Sequence, residues 1–175
     1  MRALFPAFAL AALLGASAPL HAQGAAPAAC AATDGALPAE FAGWTQKRPV
    51  VSAAGDEAVA GAALTVGAGA AAMLHPTAQV HYAVTPQKPG DPASQGGMFS
   101  LIIDRPGAYA VALGSGAWID VVQGGAEVAS AAHSHGPPCS SIHKVVDFDL
   151  TPGRYIVQIS SNAGPELRIM VIRRP

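Results

Sequence analysis

The stretch Phe99-Ser100-Leu101-Ile102-Ile103-Asp104-Arg105-Pro106-Gly107-Ala108-Tyr109-Ala110-Val111-Ala112-Leu113 decides the fold of this chain. On either side of Pro106-Gly107, large apolar residues fall at every second position. Side chains of an extended backbone alternate between two faces, so each half reads as a strand with one buried face. Proline presets φ and glycine follows easily in a turn, so the dipeptide separates the two runs. The pattern recurs at Phe148-Asp149-Leu150-Thr151-Pro152-Gly153-Arg154-Tyr155-Ile156-Val157-Gln158-Ile159. Both read strand, Pro-Gly, one residue, Tyr, strand, and we take each as a hairpin with a buried tyrosine.

Working outward, Ala78, Val80, Tyr82 and Val84 alternate with Gln79, His81, Ala83 and Thr85, which predicts a further strand. Ile119 and Val121 alternate with Trp118 and Asp120, and the run from Leu167 to Ile172 is apolar apart from Arg168. Gly124-Gly125, between runs 118–123 and 127–132, predicts a two-residue hairpin turn because glycine tolerates positive φ. Many short strands with close turn signals predict an all-β domain, an antiparallel β-sandwich or jelly roll, over residues 58–175. Residues 23–57 are read as a leader and edge segment, with Phe41, Trp44 and Val50-Val51 packed on the domain edge. The alanines alternating with Tyr109, Val111 and Leu113 mark a face that another sheet, loop or partner can approach closely.

The chain of 175 residues holds 39 alanines, 19 glycines and 15 prolines, and only 12% of it is charged. That is about half the usual charged share of a soluble domain. Residues 1–22 place one arginine before an apolar run and then small residues, the order of a signal peptide. The expected location is therefore the periplasm or outside the cell. The remaining 9 basic and 11 acidic residues give no electrostatic reason to bind nucleic acid, and no membrane association is expected after cleavage. Cys30 and Cys139 are the only cysteines. In an exported chain they are most simply read as one disulfide.

The densest polar stretch runs from His133 to Lys144. His133 and His135, two apart on a strand, point to one face, and His143 could return from the next strand to complete a three-nitrogen metal site. Imidazole suits Zn or Fe(II), and the competing reading is a solvated loop pinned by Cys139. His75 and His81 read as loop and surface residues. Trp118 and Asp120 share one strand face and are candidate binding residues. Asp147 and Asp149 share another, most simply a solvent face. Residues 85–97 form a long polar loop rich in Pro and Gly, of the kind that flanks binding sites. The spacing around Ser115 is not that of a nucleophile elbow, and no phosphate-binding loop is present.

The strand, Pro-Gly-x-Tyr, strand organisation over 97–172 resembles the pre-peptidase C-terminal type of β-sandwich, which implies an exported accessory or binding module. The His133-x-His135 strand end after Gly125 resembles the first motif of cupins, which implies an Fe(II) site. Here, however, Cys139 or Ser140 stands where the glutamate would be, and no later histidine supplies a second motif. With its Ala117-Trp118-Ile119-Asp120-Val121-Val122, Pro138-Cys139-Ser140, Val146-Asp147-Phe148 and Pro152-Gly153-Arg154-Tyr155 segments, the whole chain also resembles short exported alanine-rich proteins that go under the name homogentisate 1,2-dioxygenase. Homogentisate dioxygenases proper are much longer cytoplasmic cupins with a His/His/Glu iron site. This chain lacks that triad, and we read the name as carried over in error.

The leading expectation is therefore a non-catalytic exported module. It would bind a small molecule, a glycan or a protein partner through residues 85–97 and 133–144, near Trp118, with no cofactor assigned. The alternatives are a cupin-type metal-dependent dioxygenase, with His133 and His135 as ligands and His143 or Asp120 completing the shell, and a periplasmic metal carrier using the same histidines, with Fe(II) or Zn.

Overall fold

The computed structural model describes residues 34–175. The expected signal peptide and Cys30 lie outside the described residues. Twelve strands are described: β1 (Arg48–Val51), β2 (Ala63–Leu64), β3 (Gly69–Met73), β4 (His75–Pro76), β5 (Gln95–Ile103), β6 (Gly107–Leu113), β7 (Trp118–Gln123), β8 (Ala126–Val128), β9 (Ala132–Ser134), β10 (Lys144–Leu150), β11 (Gly153–Asn162) and β12 (Glu166–Arg173). They form two six-stranded sheets. The first has the order β1-β3-β12-β6-β10-β9, and the second has the order β2-β5-β11-β7-β8 with β4 added beside β5. The domain is an all-β sandwich, as the alternation predicted. Pairing is antiparallel except for β1 with β3 and β2 with β5, which are parallel. The strands begin ahead of residue 58, because β1 is an edge strand of the first sheet.

The inner faces supply the core. Phe99, Leu101 and Ile103 of β5 and Val157 and Ile159 of β11 meet Val111 and Leu113 of β6, Phe148 of β10 and Ile169 of β12, all buried in one cluster. The two Pro-Gly turns are not hairpins: β5 and β11 lie in the second sheet, whereas β6 and β10 lie in the first. Each turn instead carries the chain from one layer to the other. The tyrosine after each turn fixes that crossing. Tyr109 Oη donates to the Arg105 carbonyl at 2.8 Å. Tyr155 Oη donates to the Thr151 carbonyl at 2.8 Å and accepts from the Thr151 amide at 3.1 Å. A buried hydroxyl closing back on the chain four residues upstream is a tyrosine corner, used twice. Gly124 and Gly125 have φ of 59° and 79° and form the expected hairpin turn between β7 and β8.

The outer face of the first sheet is also buried. Ala110 and Ala112 of β6 and Met170 and Ile172 of β12 pack with Phe41 and Trp44. These aromatics lie on a 3-10 segment, Ala39–Thr45, laid across the sheet. The face left low by alanine is therefore covered by the chain's own leading segment. Gly43 and Gly69 let the two backbones touch: a Cβ on Gly69 would sit 2.5 Å from the Gly43 carbonyl oxygen and 2.8 Å from that of Gln46.

The strand expected over 78–84 does not form. Thr77–Gln79 is a 3-10 turn, and residues 80–94 run irregularly over the outer face of the second sheet. Side chains replace the missing ladder. The Gln158 carboxamide accepts from the Val84 amide and donates to the Val84 carbonyl, both at 3.1 Å. Tyr82 Oη donates to the Ile159 carbonyl at 3.1 Å. Ser160 Oγ donates to the Lys88 carbonyl at 2.7 Å. One buried glutamine thus serves Val84 as a neighbouring strand would, and proline at 86, 89 and 92 keeps the segment from joining a sheet.

Two outcomes follow for stability in urea. Tyr155→Phe removes the hydroxyl's bonds to the amide, carbonyl and side chain of Thr151 and Tyr109→Phe a single bond, so both lower the unfolding free energy, by about 1 kcal/mol per bond, and Tyr155→Phe costs more. Gly69→Ala forces the Ala39–Thr45 segment off the sheet. It should cost about 1–3 kcal/mol and red-shift tryptophan emission as Trp44 gains water.

Candidate binding site at Trp118

The site is built from three chain segments that are distant in sequence. β7 begins with Trp118, and alternation places Trp118 and Asp120 together on the outer face of the second sheet. The indole Nε1 donates to Asp120 Oδ1 at 2.7 Å, which fixes the ring. Segment 80–94 brings Lys88, whose Nζ lies 4.5 Å from the centroid of the ring system. β10 brings Lys144, whose Nζ lies 4.8 Å from the same centroid and donates to the Ala117 carbonyl at 3.0 Å. Ammonium groups this close to an indole are attracted by its π-density. The two loops that the sequence singled out, 85–97 and 133–144, therefore converge on the tryptophan that lay between them.

Asp120 is 2% exposed, and its Oδ2 has no hydrogen-bond partner among the described residues. Burial pushes its carboxyl pKa above the ordinary value. The Trp118 indole opposes this, Glu127 adds to it, and the Gln87 amide and the Lys144 charge oppose it. Burial lowers the Lys144 pKa, as does the charge of Lys88, while Asp120 raises it. The carboxylate of Asp120 thus orients the indole from beneath and balances part of the charge above it.

Beside Lys144 lies a depression of ≈ 390 Å3 lined by Gly116, His133, Ser134, His135, His143 and Lys144. His133 sits on β9 opposite Val146 of β10, and His143 directly precedes β10. The rings of His135 and His143 meet edge to face with centroids 6.2 Å apart. The three histidines do share one surface. However, no group of three His, Cys, Asp or Glu side chains among the described residues is arranged to hold a metal ion. The imidazoles are exposed at the sandwich edge, where no packing holds their nitrogens on a common point. Cys139 is not a free thiol, and its expected partner Cys30 lies outside the described residues.

Of the remaining candidates, His75 and Asp147 make structural contacts, while His81 and Asp149 are exposed. His75 Nε2 bonds the Ser52 carbonyl at 2.8 Å, and His81 is exposed. Asp147 pairs with Arg174 Nε at 2.7 Å, while Asp149 faces solvent. A larger depression, ≈ 590 Å3, lies beside β1 and includes Pro49, Val51, Ala71 and Met73. The Arg168 at its rim is already engaged by Asp34 and Ser141, so it offers little polar recognition. Lys88 and Lys144 were not singled out individually in the sequence, since a lone lysine in a polar stretch carries no signal. Gln158 and Ser160 carried a weak one, as polar residues in a strand whose neighbours are buried.

The shifted acid predicts a pH dependence. Folded Asp120 holds its proton more tightly than the unfolded chain does. Its contribution is therefore greatest at low pH and is lost as pH rises from about 3.8 through the raised folded value. Asp120→Asn keeps an oxygen for the indole but does not ionise. In urea unfolding between about pH 4 and 7, the variant should gain on the wild type as pH rises, and equal slopes would refute the assignment.

No protein-family model matches the chain, and no curated protein matches it.

Proposed function

We propose that the chain is an exported, non-catalytic β-sandwich module. It binds a small molecule, a glycan or a protein partner at the sandwich end where segments 80–94 and 133–144 meet. One observation carries this reading: Lys88 and Lys144, from those two segments, both lie against the ring of Trp118. A half-buried aromatic held by a buried carboxylate and flanked by polar groups is the composition of a recognition surface. In this reading Cys30 and Cys139 form a disulfide that pins the second loop after export.

A second reading, a metal carrier or an Fe(II)- or Zn-dependent dioxygenase on the same surface, draws on the edge-to-face approach of His135 and His143. It requires rotation of the imidazoles to bring their nitrogens about 2 Å from one ion.

One preparation separates the two. The protein is purified from the exported fraction, its metal content measured, and its thermal unfolding followed across a panel of sugars and small organic acids. We expect no stoichiometric metal, and a ligand-dependent rise in Tm that Trp118→Ala abolishes. Stoichiometric metal lost in the His133→Ala, His135→Ala double variant would overturn the binding-module reading in favour of the second.

A further inference from the structure

Two ammonium groups converge on Trp118, and among the described residues neither is held in an ion pair, which points to a ligand chemistry. Segment 80–94 is held at Lys88 by the Ser160 hydroxyl, and Lys144 is held by the Ala117 carbonyl, so neither amine is placed by a partner acid. The ion pairs among the described residues are Asp34 with Arg168, and Glu40 and Asp147 with Arg174; neither lysine takes part. Two like charges kept against one ring repel each other; Asp120, bonded to the indole through Oδ1, offsets part of the Lys144 charge without forming an ion pair with either lysine. The adjoining depression has no acidic residue in its wall. It offers an ammonium, three imidazoles and a serine hydroxyl. At ≈ 390 Å3 it has room for more than a single oxyanion, within the range of small-molecule sites.

We infer that this surface binds an oxyanion-bearing small molecule, its carboxylate, sulfate or phosphate taken by Lys144 and Lys88 and its body resting in the histidine-lined depression. The inference rests on the binding-module reading above and narrows its ligand. An anion there accepts a charge-assisted hydrogen bond from each ammonium, stronger than a neutral one. Lys144 is half-buried, so its charge is less screened by salt than an open surface charge.

The test is calorimetric titration of the full exported protein, at low ionic strength, with inorganic phosphate, sulfate, galacturonate and, as the neutral counterpart, galactose. The four arms separate a free oxyanion from a sugar carboxylate. Saturable binding of at least one anion and none of galactose is expected. Lys144→Gln and Lys88→Gln should each weaken that binding about tenfold. Lys88 is exposed, so its variant keeps the fold even if loss of the Lys144 bond to Ala117 destabilises the other. Binding unchanged in Lys88→Gln would overturn the inference, as would failure of all three anions. Galactose binding that Trp118→Ala abolishes would also overturn it, while leaving the binding-module reading in place.

Discussion

A sheet whose outer face is alanine must be covered by something else, and the rest of this structure depends on how that is done. Ala110 and Ala112 of β6 present almost no bulk, and Trp44 fills the space above them with none of its surface exposed. Burying a tryptophan removes about 150–250 Å2 from water, worth about 4–6 kcal/mol. Its one polar group is not stranded. The indole Nε1 donates to Ser141 Oγ at 2.8 Å, and that hydroxyl also accepts from Arg168 Nη1 and donates to Asp34 Oδ2. One donor and two acceptor positions are all that a serine hydroxyl has, and all are used. Burial alone would raise the Asp34 pKa, but the bonds from Ser141 and the charge of Arg168 outweigh it and hold the carboxyl below its ordinary value. The leading segment, the 133–144 loop and β12 are thereby tied at one point.

The second sheet is covered differently, and the difference places the candidate site. Its outer face carries polar side chains, Gln158 and Ser160, which hold an irregular segment by hydrogen bonds rather than by bulk. Because that segment is anchored at Val84 and Lys88, its lysine arrives at Trp118 in a fixed place. Lys144 reaches the same ring from the other sheet, bound to the Ala117 carbonyl. The site therefore stands where the segment covering the second sheet meets a strand of the first.

The sandwich itself was legible because alternation is local. Phe99 to Ile103, Tyr109 to Leu113 and Tyr155 to Ile159 carry period two in their own residues, and Gly124-Gly125 carries its turn. Residues 78–84 carry the same period and are not a strand: the Val80 amide bonds the Thr77 carbonyl, the His81 amide the Ala54 carbonyl, and the Val84 backbone the distant side chain of Gln158. The Pro-Gly turns were legible as turns but not as crossings between layers. The local pattern of a turn says that the chain reverses, not which sheet it joins next.

The sequence by itself determined the class of fold, the strands with a single buried face, the paired tyrosine motif and the two polar loops that matter. These depend on neighbours a few residues apart. The tertiary structure decided which strands share a sheet, that Phe41 and Trp44 cover the alanine face, and that Lys88 and Lys144 meet on Trp118 while three histidines share one depression. Each of these is a contact between residues far apart in the chain. Such contacts are set by which surfaces exclude water together and which buried polar groups find partners, and no local pattern encodes that choice.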